Sequence, residues 1–85
     1  MYSFMVKAVL LINTEMGTDE KVFEKLKELP QVKAVYMVYG LYDIVAVIET
    51  DDMDQLREIV YKHVRSSPYV RSTLTMIVVN ESEKK

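Results

Sequence analysis

The chain has 85 residues, of which 49% are hydrophobic and none is cysteine, and its 11 basic and 13 acidic side chains give a net charge of −2. This length predicts one domain over residues 1–85, and the lack of thiols excludes disulfides, cysteine–zinc sites and thiol catalysis. DNA binding depends on clustered Lys and Arg, which here are interspersed with acids, so direct DNA binding is not expected. No apolar run reaches the roughly 20 residues of a membrane span, and no signal-peptide pattern is present, which predicts a cytoplasmic protein.

The first half of the chain predicts a strand, a helix and a second strand. Residues from Phe4 to Ile12 are nearly all apolar, which is typical of a strand covered on both faces. Thr18 is the predicted N-cap of the helix, and Pro30 ends it. The apolar side chains of this helix lie at helical spacing: Val22, Leu26 and Leu29. Val32 to Val38 is the second predicted strand.

The second half predicts a hairpin, a helix and a last strand. Gly40-Leu41 suits a two-residue type II′ turn before a strand from Ile44 to Ile48. Asp51 is the predicted cap of the second helix, whose apolar stripe is Met53, Leu56, Val60 and Val64. Val70 to Val79 is the fourth predicted strand, and residues 80–85 form a polar tail that is expected to fray.

The predicted order of elements is βαββαβ, and the two halves repeat weakly. Pro30-Gln31-Val32-Lys33-Ala34 and Pro68-Tyr69-Val70-Arg71-Ser72 share the pattern Pro-x-Val-basic-small, each directly after a helix. Two βαβ halves of this kind predict an α+β, ferredoxin-like fold. It consists of a four-stranded antiparallel sheet with two helices on one face.

Both faces of the predicted sheet are apolar, although two helices can cover only one. The two-residue turn would place Met37 opposite Ile44 on one face and Val32 opposite Glu49 on the other. An uncovered apolar sheet of this size would be a large exposed patch on a monomer. We therefore expect a homodimer that packs sheet to sheet as a dimeric α+β barrel.

The hairpin tip, Tyr39-Gly40-Leu41-Tyr42-Asp43, is the segment most suited to binding a small molecule. It could be a well-formed turn with no further role. It could also be a pocket for a zwitterion, in which Asp43 takes the ammonium and backbone N–H groups take the carboxylate. Thr73 and Thr75 add two hydroxyls on one face of the last strand, where strand propensity is the alternative explanation.

Catalytic chemistry has few candidates in this sequence. His63 is the only histidine, and it lies on or beside the apolar stripe of the second helix, which favours a structural role. The acids Asp51, Asp52 and Asp54 are explained by a helix start rather than by a metal site. No phosphate-binding loop or nucleophile elbow is present. We expect no catalytic residue, no metal and no cofactor.

The motif Tyr39-Gly40-x-x-Asp43, followed by Ile44-Val45 and later by Val70-x-x-Thr73-x-Thr75-x-Ile77-Val78, resembles the effector-binding domain of the Lrp/AsnC family. This module is also called the RAM domain, and the similarity extends from about Met5 to Val79. The resemblance implies an amino-acid site formed between dimers, with assembly shifting among dimers, octamers and higher forms. It also implies the residues that line this site: Tyr39, Gly40, Leu41, Tyr42, Asp43, Thr73 and Thr75.

Transcription factors of this family carry a helix-turn-helix domain before the module, whereas this chain begins at the first strand. It therefore resembles the stand-alone form that is found in archaea and bacteria. The expected function is a non-catalytic sensor of an amino acid or related metabolite, with full-length Lrp/AsnC regulators as candidate partners. An ACT-like regulatory module and a small enzyme of the dimeric α+β-barrel type, which share this order of elements, are the alternatives.

Overall fold

The computed structural model describes residues 5–84. It contains an antiparallel sheet with strand order β2-β3-β1-β4, which confirms the predicted βαββαβ, ferredoxin-like arrangement. The elements are β1 (Val6–Thr14), α1 (Asp19–Lys27), β2 (Val32–Met37), β3 (Ile44–Thr50), α2 (Met53–Ile59) and β4 (Val70–Ile77). The predicted start of the first strand at Phe4 lies outside the described residues.

One face of the sheet forms the core with the two helices. Alternate residues of β1 and β3 are fully buried, because side chains two apart along a strand point to the same face. They pack against Val22 and Leu26 of α1 and against Leu56 of α2. The buried strand residues are Ala8, Leu10, Ile12, Ile44, Ala46 and Ile48.

α2 continues without a break into a π-helical segment, Val60–Arg65, which the sequence did not predict. The backbone N–H of Ser66 donates to the carbonyl of Tyr61 at 3.2 Å, which is the i→i−5 bond of a π-helix. Val60 and Val64 are both buried in this wider turn. The segment therefore keeps its apolar side chains in the core while it carries the chain towards β4.

The structure confirms one predicted helix cap in position and corrects the other. Thr18 is the N-cap residue of α1 as predicted, but its hydroxyl donates to the carbonyl of Glu15 at 2.6 Å and accepts no N–H of the helix. The cap of α2 is Asp52 rather than Asp51, since Asp52 Oδ1 accepts the backbone N–H of Gln55 at 2.8 Å. In return, Gln55 Oε1 accepts the backbone N–H of Asp51 at 2.8 Å. The two aspartates are adjacent, and only the geometry of the first turn distinguishes them.

Replacement of Asp52 by alanine is expected to lower the free energy of unfolding by about 1 kcal/mol, because one helix N–H loses its side-chain acceptor. Urea unfolding followed by circular dichroism measures this change. Asp51→Ala is the matched control, with an expected change within about 0.5 kcal/mol. Equal losses for the two variants would contradict the assignment of the cap.

The loop that connects β2 and β3 is longer than the predicted two residues. The register pairs Met37 with Ile44 as expected, but a bulge then shifts Val32 opposite Ile48 instead of Glu49. The prediction of a two-residue type II′ turn was also wrong. Gly40 has a φ of 151°, far from the roughly +60° of that turn. Residues 38–43, which we call the tip loop, connect the strands.

The other face of the sheet is apolar, and neither helix between positions 5 and 84 packs on it. On this face Tyr36 of β2 lies opposite Val45 of β3, and Leu11 of β1 lies opposite Leu74 of β4. We call this surface the open face. Its apolar residues are Val9, Leu11, Ala34, Tyr36, Val45, Val47, Leu74 and Met76. This confirms that both faces of the sheet are apolar and that the helices cover one of them.

The residues that follow β4 are bonded to the first strand at their start. The backbone N–H of Val78 donates to the carbonyl of Lys7 at 2.8 Å. The Lys7 ammonium lies 3.2 Å from Glu81 Oε1, and this hydrogen bond raises the pKa of Lys7. Fraying of residues 80–85 stays a prediction.

Candidate functional site

The tip loop is closed by backbone hydrogen bonds at its base. The N–H of Val38 donates to the carbonyl of Asp43 at 2.9 Å, and the N–H of Asp43 donates to the carbonyl of Ile12 at 3.0 Å. The second bond attaches the loop to β1 as well as to its own hairpin. Gly40 has a positive φ that side chains rarely adopt, so this position favours glycine.

The Asp43 carboxylate is engaged within the chain. Its Oδ2 accepts the backbone N–H of Thr14 at 2.8 Å and the Thr14 hydroxyl at 3.2 Å. Thr14 is buried at the end of β1, and the sequence did not indicate its role. Asp43 therefore joins the tip loop to β1. Its second oxygen, Oδ1, accepts no hydrogen bond from another described residue.

Asp43→Ala is expected to lower the free energy of unfolding by about 2 kcal/mol, because a buried N–H and hydroxyl of Thr14 lose their charged acceptor. Asp43→Asn keeps an acceptor oxygen and is expected to lose about half as much. Thermal or urea unfolding of the two variants measures the difference. An alanine variant as stable as the unmodified chain would show that Asp43 has no structural role.

The remaining tip residues point away from the body of the subunit. Tyr39 is fully exposed and Leu41 is 91% exposed, whereas Tyr42 is half-buried. The side chains of Tyr39 and Leu41 thus form an exposed apolar projection of the subunit.

Thr73 and Thr75 lie at the same end of the sheet but on a different strand pair. Thr73 is opposite Ile12, and Ile12 is opposite Ile44. Two strand spacings, roughly 10 Å, therefore separate Thr73 from the first residue of β3 after the tip loop. Thr73 and Thr75 share the helix-covered side of the sheet with Leu10 and Ile12. One subunit does not bring the two threonines together with the tip.

The two threonines instead line a surface cleft between β4 and the π-helical segment, which we call the β4 cleft. Its end nearest the start of β4 has a volume of about 580 Å³ and includes Val60, Arg65 and Arg71. Its other end is more apolar and extends along α2 to Met53 and Leu56. Arg65 and the cleft were not predicted, because the regular helical stripe that includes Val60 and Val64 does not indicate the π-helical turn that forms one wall.

The other candidates show no catalytic or metal site among the described residues. His63 is exposed on the π-helical segment. No group of three or more His, Cys, Asp or Glu residues between positions 5 and 84 is arranged to hold a metal ion. Within the same range, no helix is long and apolar enough to cross a membrane.

The fold is that of a small ferredoxin-like α+β domain, and comparison with known proteins gives its family. The family model of the Lrp/AsnC ligand binding domain matches residues 7–85. The chain belongs to this family, which confirms the resemblance found in the tip and β4 motifs. A search among curated proteins found no match.

Solved structures include similar single-domain chains. Hypothetical protein PHS023 from Pyrococcus horikoshii is 38% identical with a TM-score of 0.83, and the alignment covers 89% of this chain and 92% of that one. TTHA0845 from Thermus thermophilus is 30% identical with a TM-score of 0.86, over 93% of this chain and 99% of that one.

A longer protein shares the fold at lower identity. The transcriptional regulator NMB0573 from Neisseria meningitidis, in a complex with L-Met, is 16% identical with a TM-score of 0.83. The alignment covers 93% of this chain and 53% of that regulator. At this identity the likeness shows the fold alone.

Proposed function

We propose that this chain is a non-catalytic sensor that binds a small amino acid or related metabolite and acts through its assembly. The observation that carries the proposal is the match of residues 7–85 to a ligand-binding domain of transcription regulators. The L-Met complex of NMB0573, which has the same fold, supports an amino acid as the ligand class. Family membership favours this interpretation over an ACT-like module or an enzyme.

The proposed assembly has two levels. Open faces pack against each other in a homodimer, since this removes exposed apolar side chains such as Tyr36, Leu74 and Met76 from water. Dimers then associate, to an octamer, through their tip loops. A ligand that binds where copies meet stabilises the assembled form by mass action, and assembly becomes the signal.

The proposed ligand site lies at the seam between dimers. Tyr39, Gly40, Leu41, Tyr42 and Asp43 of one copy would contact another copy at Thr73 and Thr75. The exposed side chains of Tyr39 and Leu41 and the open β4 cleft support this arrangement, because the residues between positions 5 and 84 leave them accessible to another copy. Oδ1 of Asp43 would take the ligand ammonium while Oδ2 keeps Thr14 in place.

In the cell, we propose that the chain acts in the cytoplasm and modulates full-length Lrp/AsnC regulators by joining their oligomers. It would not bind DNA directly, in agreement with its net charge of −2. That the module acts as a stand-alone protein stays a prediction.

Calorimetry with each standard amino acid, combined with sedimentation velocity, tests the proposal. We expect one or a few amino acids to bind and to increase the mass of the assembly. Tyr39→Ala should weaken binding by about tenfold or more while folding is unchanged, because this side chain is exposed in the subunit. The control is Met16→Ala, which truncates an exposed apolar side chain outside the tip loop and the β4 cleft. Absence of binding by every amino acid, or equal binding by both variants, would contradict the proposal.

A further inference from the structure

A second, smaller groove lies between α1 and the end of the π-helical segment, and we call it the helix groove. Its volume is about 170 Å³, and the buried side chains of Leu26 and Val64 form its apolar floor. Of its lining residues, only Val70 also lines the β4 cleft. The helix groove is therefore a separate feature from the proposed amino-acid site.

Three basic side chains line the helix groove. Lys21 and Lys25 lie about one turn apart on α1, and His63 belongs to the π-helical segment. Neither lysine forms an ion pair with a residue between positions 5 and 84. Like charges four residues apart on a helix repel each other, and a bound anion would offset this repulsion. The helix groove therefore favours an anionic ligand.

Lys21 is held at the helix groove by an aromatic side chain. Its ammonium lies 5.1 Å from the centre of the Tyr69 ring, and Tyr69 also lines the groove. This cation–π contact restrains the ammonium while its charge stays unneutralised. The acids of α1 lie on an adjoining surface of the helix and do not line the groove: Glu20, Glu24 and Glu28. The positive charge is thus positioned before any ligand arrives.

The turn after the π-helical segment leaves the binding of an anion to side chains. The backbone N–H of Ser67 donates to a carbonyl of the chain at 3.1 Å, and that of Tyr69 donates to the Ser67 hydroxyl oxygen at 3.2 Å. The C-terminal end of a helix also carries partial negative charge, which opposes an anion. The attraction must therefore come from the two lysines and His63, with the Ser67 O–H as a further donor.

We infer that the helix groove binds a phosphoryl group, either as inorganic phosphate or as the phosphate of a small phosphomonoester. The groove is smaller than the roughly 300 Å³ at which pockets for drug-sized ligands begin, so it admits a compact head group. A phosphoryl group carries about two negative charges at pH 7 and can accept from both lysines at once. A monocarboxylate would neutralise only one of them. This site goes beyond the proposed function, which uses the tip loop and the β4 cleft.

Three ligands at constant ionic strength test the inference by ¹H–¹⁵N NMR titration of the unmodified chain. Inorganic phosphate is expected to shift the amide signals of Ser66, Ser67 and Tyr69 and to saturate below about 10 mM. Acetate, with a single charge, should bind about tenfold more weakly or less. Glycerol 3-phosphate distinguishes the two sources, because tighter binding than phosphate assigns a phosphomonoester, and equal or weaker binding assigns inorganic phosphate.

Lys25→Gln is the decisive variant, since it removes one charge from the helix groove and keeps a polar side chain. It is expected to weaken phosphate binding by about fivefold or more. The matched control is Lys27→Gln, which makes the same change in net charge on the same helix but does not line the groove. That variant should change the affinity by no more than about twofold. Both lysines are exposed, so neither change should impair folding.

Three results would overturn the inference: no saturable binding of phosphate or glycerol 3-phosphate, binding of acetate as tight as that of phosphate, or equal effects of Lys25→Gln and Lys27→Gln. The net charge of −2 gives no general attraction for anions that would imitate a site. These outcomes are separable from failure of the proposed amino-acid site. Phosphate binding that depends on Lys25 supports the helix groove whether or not any amino acid binds, and amino-acid binding that depends on Tyr39 leaves it unaffected.

Discussion

Leu11→Arg is expected to convert the assembly into single copies. Leu11 lies in the middle of the open face, between Val45 of β3 and Leu74 of β4. In the proposed sheet-to-sheet dimer this position is covered by another copy. An unpaired guanidinium buried there would cost several kcal/mol, which is comparable to the binding free energy of a modest interface.

Sedimentation velocity at micromolar concentration measures this effect as a loss of the dimer. The matched control is Leu41→Arg, which makes the same change in the tip loop. That variant should still form dimers and should lose only the larger assemblies. If Leu11→Arg sediments like the unmodified chain, the open face is not the dimer interface.

Leu10→Ala is expected to lower the free energy of unfolding by about 3 kcal/mol. Leu10 is adjacent to Leu11 but points to the other face, where it is completely buried against the helices. The change removes three carbon atoms from a packed core and leaves a cavity that the surrounding β-strands cannot fill. The dimer interface should be unaffected, because it uses the opposite face.

Urea unfolding at a fixed subunit concentration measures the loss. The control is Leu41→Ala in the tip loop, whose side chain is 91% exposed, with an expected change within about 0.5 kcal/mol. Similar losses for the two variants would contradict the division of the sheet into a helix-covered face and an open face. Together, Leu10 and Leu11 test the two sides of one strand.

Topology and the two apolar faces could be predicted from the sequence because they depend on periodicity over many residues. The strand from Val6 to Thr14 alternates buried and half-buried positions, and both sets are apolar along most of its length. Pro30 and Pro68 bound the helical regions in the way that the repeat indicated. Such patterns tolerate local errors, so the overall arrangement was correct.

Local geometry was less predictable because it depends on contacts between distant parts of the chain. The Asp43–Thr14 hydrogen bonds join residues that are 29 positions apart, and no sequence spacing indicates them. The bulge that places Val32 opposite Ile48 has no sign in the alternating apolar pattern of β2. The π-helical turn that positions Arg65 likewise has no signature in the sequence.

The ligand-binding role of the candidate site residues stays a prediction, and their arrangement in space could not be read from the sequence. Tyr39 and Leu41 lie on the surface of one subunit, and Thr73 and Thr75 lie two strands away in a separate cleft. A site that uses both groups requires at least two copies of the chain. Sequence patterns describe one copy, so they do not indicate how the tip loop of one copy would meet β4 of another.

The central claim is that this domain works as an assembly held together by the open face. The mass of the unmodified chain in dilute solution, measured by sedimentation equilibrium, tests it most directly. We predict a dimer or a multiple of dimers at micromolar subunit concentration. A folded monomer under the same conditions, with Tyr36, Leu74 and Met76 left in contact with water, would contradict the claim.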